Sequence, residues 1–294
     1  MKAEIEVKPL WMADRRQPGR KWRLGGSHLF LYVSGLIIMF IILCAIVPQW
    51  ITSLSPTKID PSSLMQPPGR NHWLGTDYFG RDVFSLIVYG SRDSLLIALA
   101  SVAVGGVAGT ALGTLSGYIG GWVDILVMRF TEVLMTIPGI LLALAIAAAT
   151  GPSLTNVVLA IAASAIPRYA RIMRSQVLSV KNRPFVLASR SIGSSNIHIF
   201  LKHVLPGSFT PFLVMSTIGI GTSILAGAAL SFLGLGVVKE IPDWGAVLAQ
   251  GRGYLTVAWW ICTFPGLAIA LFVLAINIIG DHIRDILDPR NSSR

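Results

Sequence analysis

Few side chains in this sequence have the types and spacing that catalysis or metal binding requires. The five histidines form neither an H-E-x-x-H pattern nor the Cys/His spacing of a zinc site. No G-x-S-x-G segment presents a nucleophilic serine. No G-x-x-x-x-G-K-[ST] loop is present to hold the phosphates of ATP. We therefore expect no catalytic residue, no metal, no bound cofactor and no ATPase site in this chain.

Ionisable side chains are rare inside the apolar runs. Arg129 and Glu132 lie three residues apart, so they share a helix face and can neutralise each other. We expect this pair to orient a helix at its cytoplasmic end, and a role in gating is the alternative. Cys44 and Cys262 lie within apolar runs and are expected to be inert thiols.

The composition is that of a membrane protein. Hydrophobic residues make up 53% of the 294 residues, charged residues 13%, and the mean hydropathy is +0.67. A soluble domain carries roughly 25% charged residues, so this chain cannot cover a water-exposed surface of its size. Because backbone polar groups in lipid must bond to one another, we expect an all-α polytopic protein.

Six segments are expected to cross the membrane, each near the length of about 20 apolar residues that a bilayer requires. The first is not expected to be a cleaved signal, because no small-residue cleavage pattern follows it. The fourth is short before Pro167 and is expected to extend through Ala170. The segments are residues 29–47, 94–115, 125–149, 154–166, 212–238 and 257–280.

The net charge of +10 is distributed unevenly, and this predicts the orientation. Residues 1–28 form a basic arm with seven Lys/Arg and three acids, and residues 168–202 contain seven Lys/Arg and no acid. Basic loops stay in the cytoplasm, which places both segments and both termini inside. Residues 48–93 are then extracytoplasmic. The basic charge thus reflects topology, and we expect contact with lipid and not with nucleic acid.

The internal loop is predicted to be a helix–turn–helix along the membrane surface. A break is expected at Gly193, followed by an amphipathic stretch with Ile197, Phe200, Leu201 and Val204 on one face, ending at Pro206. The small residues before the break leave backbone accessible to a partner. Binding to lipid headgroups is the alternative.

This loop resembles the cytoplasmic "EAA" loop of the membrane subunits of bacterial ABC importers. The family pattern is E-A-A, three residues, Gly, nine residues and I-x-L-P. Leu187 stands in place of the Glu, and His203 in place of the Ile. The residues taken as ATPase-coupling residues are Ala188, Ser189, Gly193, Leu205 and Pro206.

Three further stretches resemble the second permease of dipeptide and oligopeptide importers. They are L-G-T-D-x-x-G-R-D from Leu74, S-F-L-G-L-G from Ser231 with P-x-W-G-A from Pro242, and G-D-x-x-R-D-x-L-D-P from Gly280. Importers of nickel, metal chelates and glutathione share these motifs, so the resemblance names a family and leaves the cargo open.

The resemblance implies a type I importer permease fold in the bacterial inner membrane. Residues 94–290 would form the permease core, with residues 168–206 as the cytoplasmic coupling loop. It also implies a heterodimer with a second permease, two ATPase subunits that bind ATP and Mg, and an extracytoplasmic substrate-binding protein. The rival hypotheses are an ATP-independent channel or ion-coupled carrier and, third, a membrane-embedded enzyme.

Two groups of residues have open roles. Asp77, Arg81 and Asp82 are candidates for docking the binding protein, or else they support their own loop, in which Thr76 or Asp77 could cap a helix. The second group lets helices pack closely or lines the translocation path; it consists of Gly219, Gly221 and Gly227.

The charge distribution predicts the outcome of a fusion experiment. A reporter fused after Lys181 is expected to be cytoplasmic, and one fused after Pro61 extracytoplasmic, because the basic excess is retained inside. Compartment-specific activity of the two reporters checks this. The reverse pattern would contradict the orientation.

Overall fold

The computed structural model describes residues 24–287, and helices make up most of this part of the chain. No strand occurs among the described residues; Thr76 and Asp82 form an isolated antiparallel bridge. Short 3₁₀ turns occupy Pro61–Ser63 and Arg252–Tyr254, and a π-helix occupies Phe200–Val204. The α-helices are α1 Leu24–Ile46, α2 Pro48–Ile51, α3 Val83–Ile119, α4 Gly121–Met135, α5 Gly139–Thr150, α6 Leu154–Lys181, α7 Pro184–Ser191, α8 Asn196–Ile199, α9 Leu205–Gly207, α10 Phe209–Phe232, α11 Trp244–Gly251 and α12 Trp260–Leu287.

Among the described residues, four helices are long and apolar enough to cross a membrane by themselves: α1, α3, α10 and α12. The pair α4 and α5 counts as a fifth span if the two are taken together. The fourth expected span corresponds to α6, which has 28 residues, but the basic residues of its second half make it more polar than the other spans. The count of six therefore stays a prediction.

The third expected span is not one straight helix. It breaks between Met135 and Gly139, and α4 and α5 meet at 88°. Pro138 has no amide hydrogen to donate and disfavours helical geometry at Ile137 before it, so the helix ends there. The Pro138 carbonyl then accepts from the amides of Leu141 and Leu142 and starts α5.

A row of glycines on α3 lets α6 approach to backbone contact. Gly105, Gly109, Gly113 and Gly117 recur every fourth residue and share one face of α3. A Cβ atom at Gly105 would lie 2.7 Å from the carbonyl oxygen of Ala162, and one at Gly109 would lie 2.6 Å from that of Ile166. Each turn of α3 therefore rests directly on the backbone of α6.

The first and last helices of the described chain pack against each other. Ile41 of α1 lies in one buried cluster with Phe272 and Ile276 of α12. Ile224 of α10 and Trp244 of α11 belong to the same cluster. In contrast, most side chains of α1 away from this contact are exposed, as expected for a lipid-facing helix.

Three helices begin or end away from the expected span boundaries, which themselves stay predictions. The helix that contains the second expected span begins at Val83 and not at residue 94, because Asp82 caps α3 there, and it runs for 37 residues, about 55 Å. The helix of the fifth ends at Phe232 and not at residue 238; Gly234, with a φ of +81°, follows the end of α10. The helix of the last begins at Trp260 and not at residue 257, and the ring of Trp260 is buried.

The contact between α3 and α6 predicts the effect of adding one methyl group. A Cβ atom at Gly113 would overlap the carbonyl of Ala170, so Gly113→Ala is expected to destabilise the protein by about 1–3 kcal/mol. Thermal unfolding of the purified protein in detergent measures this. Gly35→Ala in α1 is the matched control, since nothing lies within 4 Å of its Cβ position. Equal melting temperatures for the two variants would contradict the close packing.

Candidate functional site

The internal loop has the predicted two-helix form. Pro184 lies in the first turn of α7, where its missing amide hydrogen costs nothing. After Ile192 the chain turns at Gly193 with a φ of +87°, a conformation that favours glycine. The hydroxyl of Ser195 then accepts a 3.3 Å hydrogen bond from the amide of His198 and caps α8.

The loop is fastened to the ends of α3 and α6. Val177 and Val180 of α6 pack with Val186, Ile199 and Val204 of the loop in a buried cluster. Two hydrogen bonds add to this contact. The Tyr118 hydroxyl donates to the Asn196 carbonyl at 2.5 Å, and Lys181 Nζ donates to the Tyr118 carbonyl at 2.7 Å. The loop is therefore packed against α6 and hydrogen-bonded to the end of α3.

The outer side of the loop carries exposed apolar side chains. Ile192 is 82% exposed, and Leu187, Ile197 and Leu201 are also exposed. We call these four residues, together with Ala188 and Gly193, the loop surface. Exposed apolar side chains close together on a loop are a candidate contact surface for a partner or for lipid.

The five predicted coupling residues differ in how exposed they are. Ala188 and Gly193 are exposed on the loop surface, and Pro206 is exposed as well. Ser189 is buried and Leu205 is half-buried, so both support the loop from within.

The predicted amphipathic face is wrong in part. Ile197 and Leu201 are exposed, whereas Ile199 and Val204 are fully buried. The cause is the π-helix Phe200–Val204, which inserts an extra residue into a turn and so changes which side chains face the protein. Pro206 also does not end the helical path, because it lies within α9 and α10 follows directly.

On the other side of the molecule, Asp77 and Arg81 support their own loop. Arg81 Nε donates to Asp77 Oδ2 at 2.7 Å, and the Arg81 side chain reaches Gln250 at 3.0 Å. Asp77 Oδ1 also accepts from the amides of Phe79 and Arg81. Both side chains are buried.

Asp82, and not Thr76 or Asp77, caps the helix that follows. Its carboxylate accepts from the amide and the hydroxyl of Ser85, each at 2.8 Å, and lies 3.0 Å from His72 Nδ1. Asp82 is buried as well. All three side chains are therefore bonded within their own loop, and their contact with a docking protein stays a prediction.

Asp243 caps the N-terminus of the short helix α11. Its carboxylate accepts from the amides of Gly245 and Ala246, which start α11, and from the Ser231 hydroxyl at 2.8 Å. Burial raises the pKa of Asp243, while these donors act in the opposite direction. Nearby, Lys239 Nζ lies 2.8 Å from the Asp93 carboxylate and fastens this segment to α3.

The three glycines of α10 lie in helix contacts. A Cβ atom at Gly219 would meet the Tyr169 hydroxyl of α6, and one at Gly227 would lie 2.9 Å from Ile97 of α3. At Gly221 it would lie 3.3 Å from Asn277 of α12. These positions therefore pack closely within the chain, and a role in lining the translocation path stays a prediction.

The ion pair of Asp124 and Arg174, like that of Asp93 and Lys239, was not predicted from the sequence. Asp124 of α4 accepts two 2.5 Å hydrogen bonds from the guanidinium of Arg174 on α6. The Ser116 hydroxyl of α3 donates to the same carboxylate. Fifty residues separate the two charges, so no local spacing could reveal the pair.

The predicted local pair of Arg129 and Glu132 is present at 3.3 Å and exposed. No cluster of three or more metal-ligating side chains occurs within residues 24–287.

Comparisons with known proteins identify the family. Residues 109–293 match the family model described as "Binding-protein-dependent transport system inner membrane component". The probable D,D-dipeptide transport system permease protein DdpC of Escherichia coli K12 is 42% identical over 92% of this chain and 90% of its own length. The dipeptide transport system permease protein DppC of Alkalihalophilus pseudofirmus is 44% identical over 90% of this chain and 87% of its own. The glutathione transport system permease protein GsiD of E. coli O6:K15:H31 is 40% identical over 98% and 96%.

Solved structures share the fold at lower identity. A chain of the inward-facing MetNI methionine ABC transporter aligns with a TM-score of 0.58 and 21% identity, over 69% of this chain and 96% of that one. An amino acid ABC transporter crystallised with histidines aligns at a TM-score of 0.52 and 17% identity, over 71% and 93%. Together with the sequence relatives, these matches place the chain: it belongs to the inner membrane permease components of binding-protein-dependent ABC importers.

Proposed function

We propose that this permease carries dipeptides, oligopeptides or similar small peptides as one of two dissimilar membrane subunits of an ATP-driven importer. Two partner ATPase subunits would bind ATP and Mg, and this chain would have no ATPase site of its own. An extracytoplasmic binding protein would deliver the cargo. Relatives named as dipeptide permeases, 42% and 44% identical, support the peptide cargo.

The exposed loop surface carries this proposal. It lies on a loop whose other side is packed against α6 through Val177 and Val180 and hydrogen-bonded to the end of α3. An ATPase subunit that binds this apolar surface could move α6 without unfolding the loop. We therefore assign the coupling role to the exposed Ala188 and Gly193, with Ser189, Leu205 and Pro206 as its support.

The mechanism we propose is a population switch. Closure of the ATPase pair on ATP would pull the loop and favour an outward-open arrangement, and hydrolysis would restore the inward-open one. A ligand shifts such an equilibrium only by its differential affinity for the two states. The ATPase subunits must therefore hold the loop surface differently before and after closure.

Glutathione is the second candidate cargo, because relatives named as glutathione permeases are 40% identical over 98% of this chain. It is itself a small peptide with free carboxylates. Importers of nickel and metal chelates share the family motifs, but no metal-ligating cluster within residues 24–287 favours these cargoes.

Reconstitution of the complete complex tests this function. We expect proteoliposomes that contain both permeases, both ATPase subunits and the binding protein to accumulate radiolabelled dialanine only with ATP. Glutathione and nickel, tested in the same vesicles, separate the alternative cargoes. Uptake by this chain alone, without ATP, would contradict the proposal in favour of a channel or carrier.

A substitution at Gly193 tests the coupling role of the loop. Nothing lies within 4 Å of its Cβ position, so the side chain of Gly193→Trp would project from the loop surface. We expect uptake to fall by at least about tenfold, the equivalent of roughly 1.4 kcal/mol of interface energy. ATPase activity should no longer respond to the loaded binding protein, and membrane insertion should stay normal.

Gly193→Ala is the matched control. It imposes the same left-handed backbone cost of about 1–2 kcal/mol but adds no bulk to the loop surface. Its uptake should therefore stay close to that of the wild type. Normal coupled uptake by the tryptophan variant, or equal loss in both variants, would argue against a partner at this surface.

A further inference from the structure

An open cavity of about 560 Å³ lies between the break of the third span and two other helices. Residues 134–140 form one wall, the face of α6 from Ile161 to Arg168 forms the second, and α10 from Thr222 to Ala226 forms the third. We call this cavity the bend groove. Its volume is within the range of about 300–1,000 Å³ that is usual for small-molecule sites.

Arg168 is the charged residue of the bend groove. Its neighbour on α6, Arg174, is bound to Asp124, and Arg171 is exposed. Within residues 24–287, no hydrogen bond or ion pair engages the Arg168 guanidinium, and no acidic side chain lines the groove. An arginine always carries its charge, so this groove holds an uncompensated cation.

Contacts of the adjacent Tyr169 show how deep this cation lies. The Tyr169 side chain packs against Gly109 of α3 and Gly219 of α10. Each glycine lies ten residues from the loop-side end of its helix, which is about 15 Å along the helix axis. Arg168, next to Tyr169 in α6, therefore lies well inside the helix bundle and away from the internal loop.

The rest of the lining is suited to a small anionic molecule that also has apolar parts. Ser164, Thr222 and Ser223 bring hydroxyl groups to its wall, and the remaining lining is largely aliphatic. The start of α5, which has no side-chain cap, lies in the same wall at Gly139 and Ile140. Its free amides add to the positive potential of Arg168.

We propose that the bend groove is a transient binding site for the transported peptide and that Arg168 binds the carboxylate of that peptide. The inference rests on the proposed peptide cargo and adds a residue that selects for it. Membrane-buried ionisable residues are costly and occur where they meet a counter-charge or line a path. A peptide carboxylate supplies the missing counter-charge only while cargo is passing, which allows release afterwards.

The test compares Arg168 variants in the complete reconstituted complex with its binding protein. Arg168→Ala is expected to lower the maximal rate of ATP-driven dialanine uptake by about tenfold or more, the effect of losing a charge-assisted hydrogen bond. Arg168→Lys should retain most of the rate. Basal ATPase activity and co-purification of the four partner subunits should not change. Arg171→Ala, on the exposed side of the same helix, is the matched control and should transport normally.

Charge restoration adds a readout that a merely structural role would not move. Arg168→Cys, in a background with Cys44→Ala and Cys262→Ala, should lose uptake. Modification by aminoethyl methanethiosulfonate, which attaches an ammonium group, should restore part of it. Modification by the sulfonatoethyl reagent, which attaches an anion, should not.

Other occupants of the groove give different results. If Arg168 pairs with an acidic residue of the second permease, Arg168→Ala will lower co-purification and change basal ATPase activity. If it binds a lipid headgroup, its effect will vanish in vesicles of phosphatidylcholine alone. Either result overturns the inference, as does normal uptake by Arg168→Ala. Absence of dialanine uptake by the wild-type complex would instead refute the proposed function, and this inference with it.

Discussion

Backbone contact between α3 and α6 is the constraint on which the rest of this structure depends. Four glycines on one face of α3 let the carbonyls of α6 come to the distance at which a single Cβ would not fit. In lipid, where burial of apolar surface gives little driving force between helices, such close approach is a main source of attraction. The contact fixes α6, although α6 is too polar to be recognised as a span by composition.

Two functional features depend on the position of α6. Its cytoplasmic end packs with the internal loop, and its middle carries Arg168 in the bend groove. Arg174, between them, ties α6 to α4 through Asp124. Loop, ion pair and groove therefore lie along one helix.

Sequence patterns predicted the membrane class, the helix pair of the loop and the turn at Gly193, because these depend on composition and local backbone conformation. They failed where contacts between distant residues determine the local structure. In the loop, which contains a π-helix, Ile199 is buried in the core and Ile197 is exposed, the reverse of the prediction for Ile197. Pro138 bends the third expected span, which hydropathy alone predicts to be continuous. The burial of Asp77 and Arg81 and the pairing of Asp124 with Arg174 arise only from tertiary contacts. The glycines of α3 recur every fourth residue in the sequence, but the close contact with α6 was not predicted from this repeat.

The contact between α1 and α12 has a consequence for biogenesis. Ile41 enters its cluster beside Phe272 and Ile276, which are made more than 200 residues later. Since ribosomes add about 5–20 residues per second, α1 waits at least about ten seconds in the bilayer before its neighbour exists. Its exposed aliphatic and aromatic surface is suited to contact with lipid during that time. The bundle can close only after the ribosome has delivered its final helix.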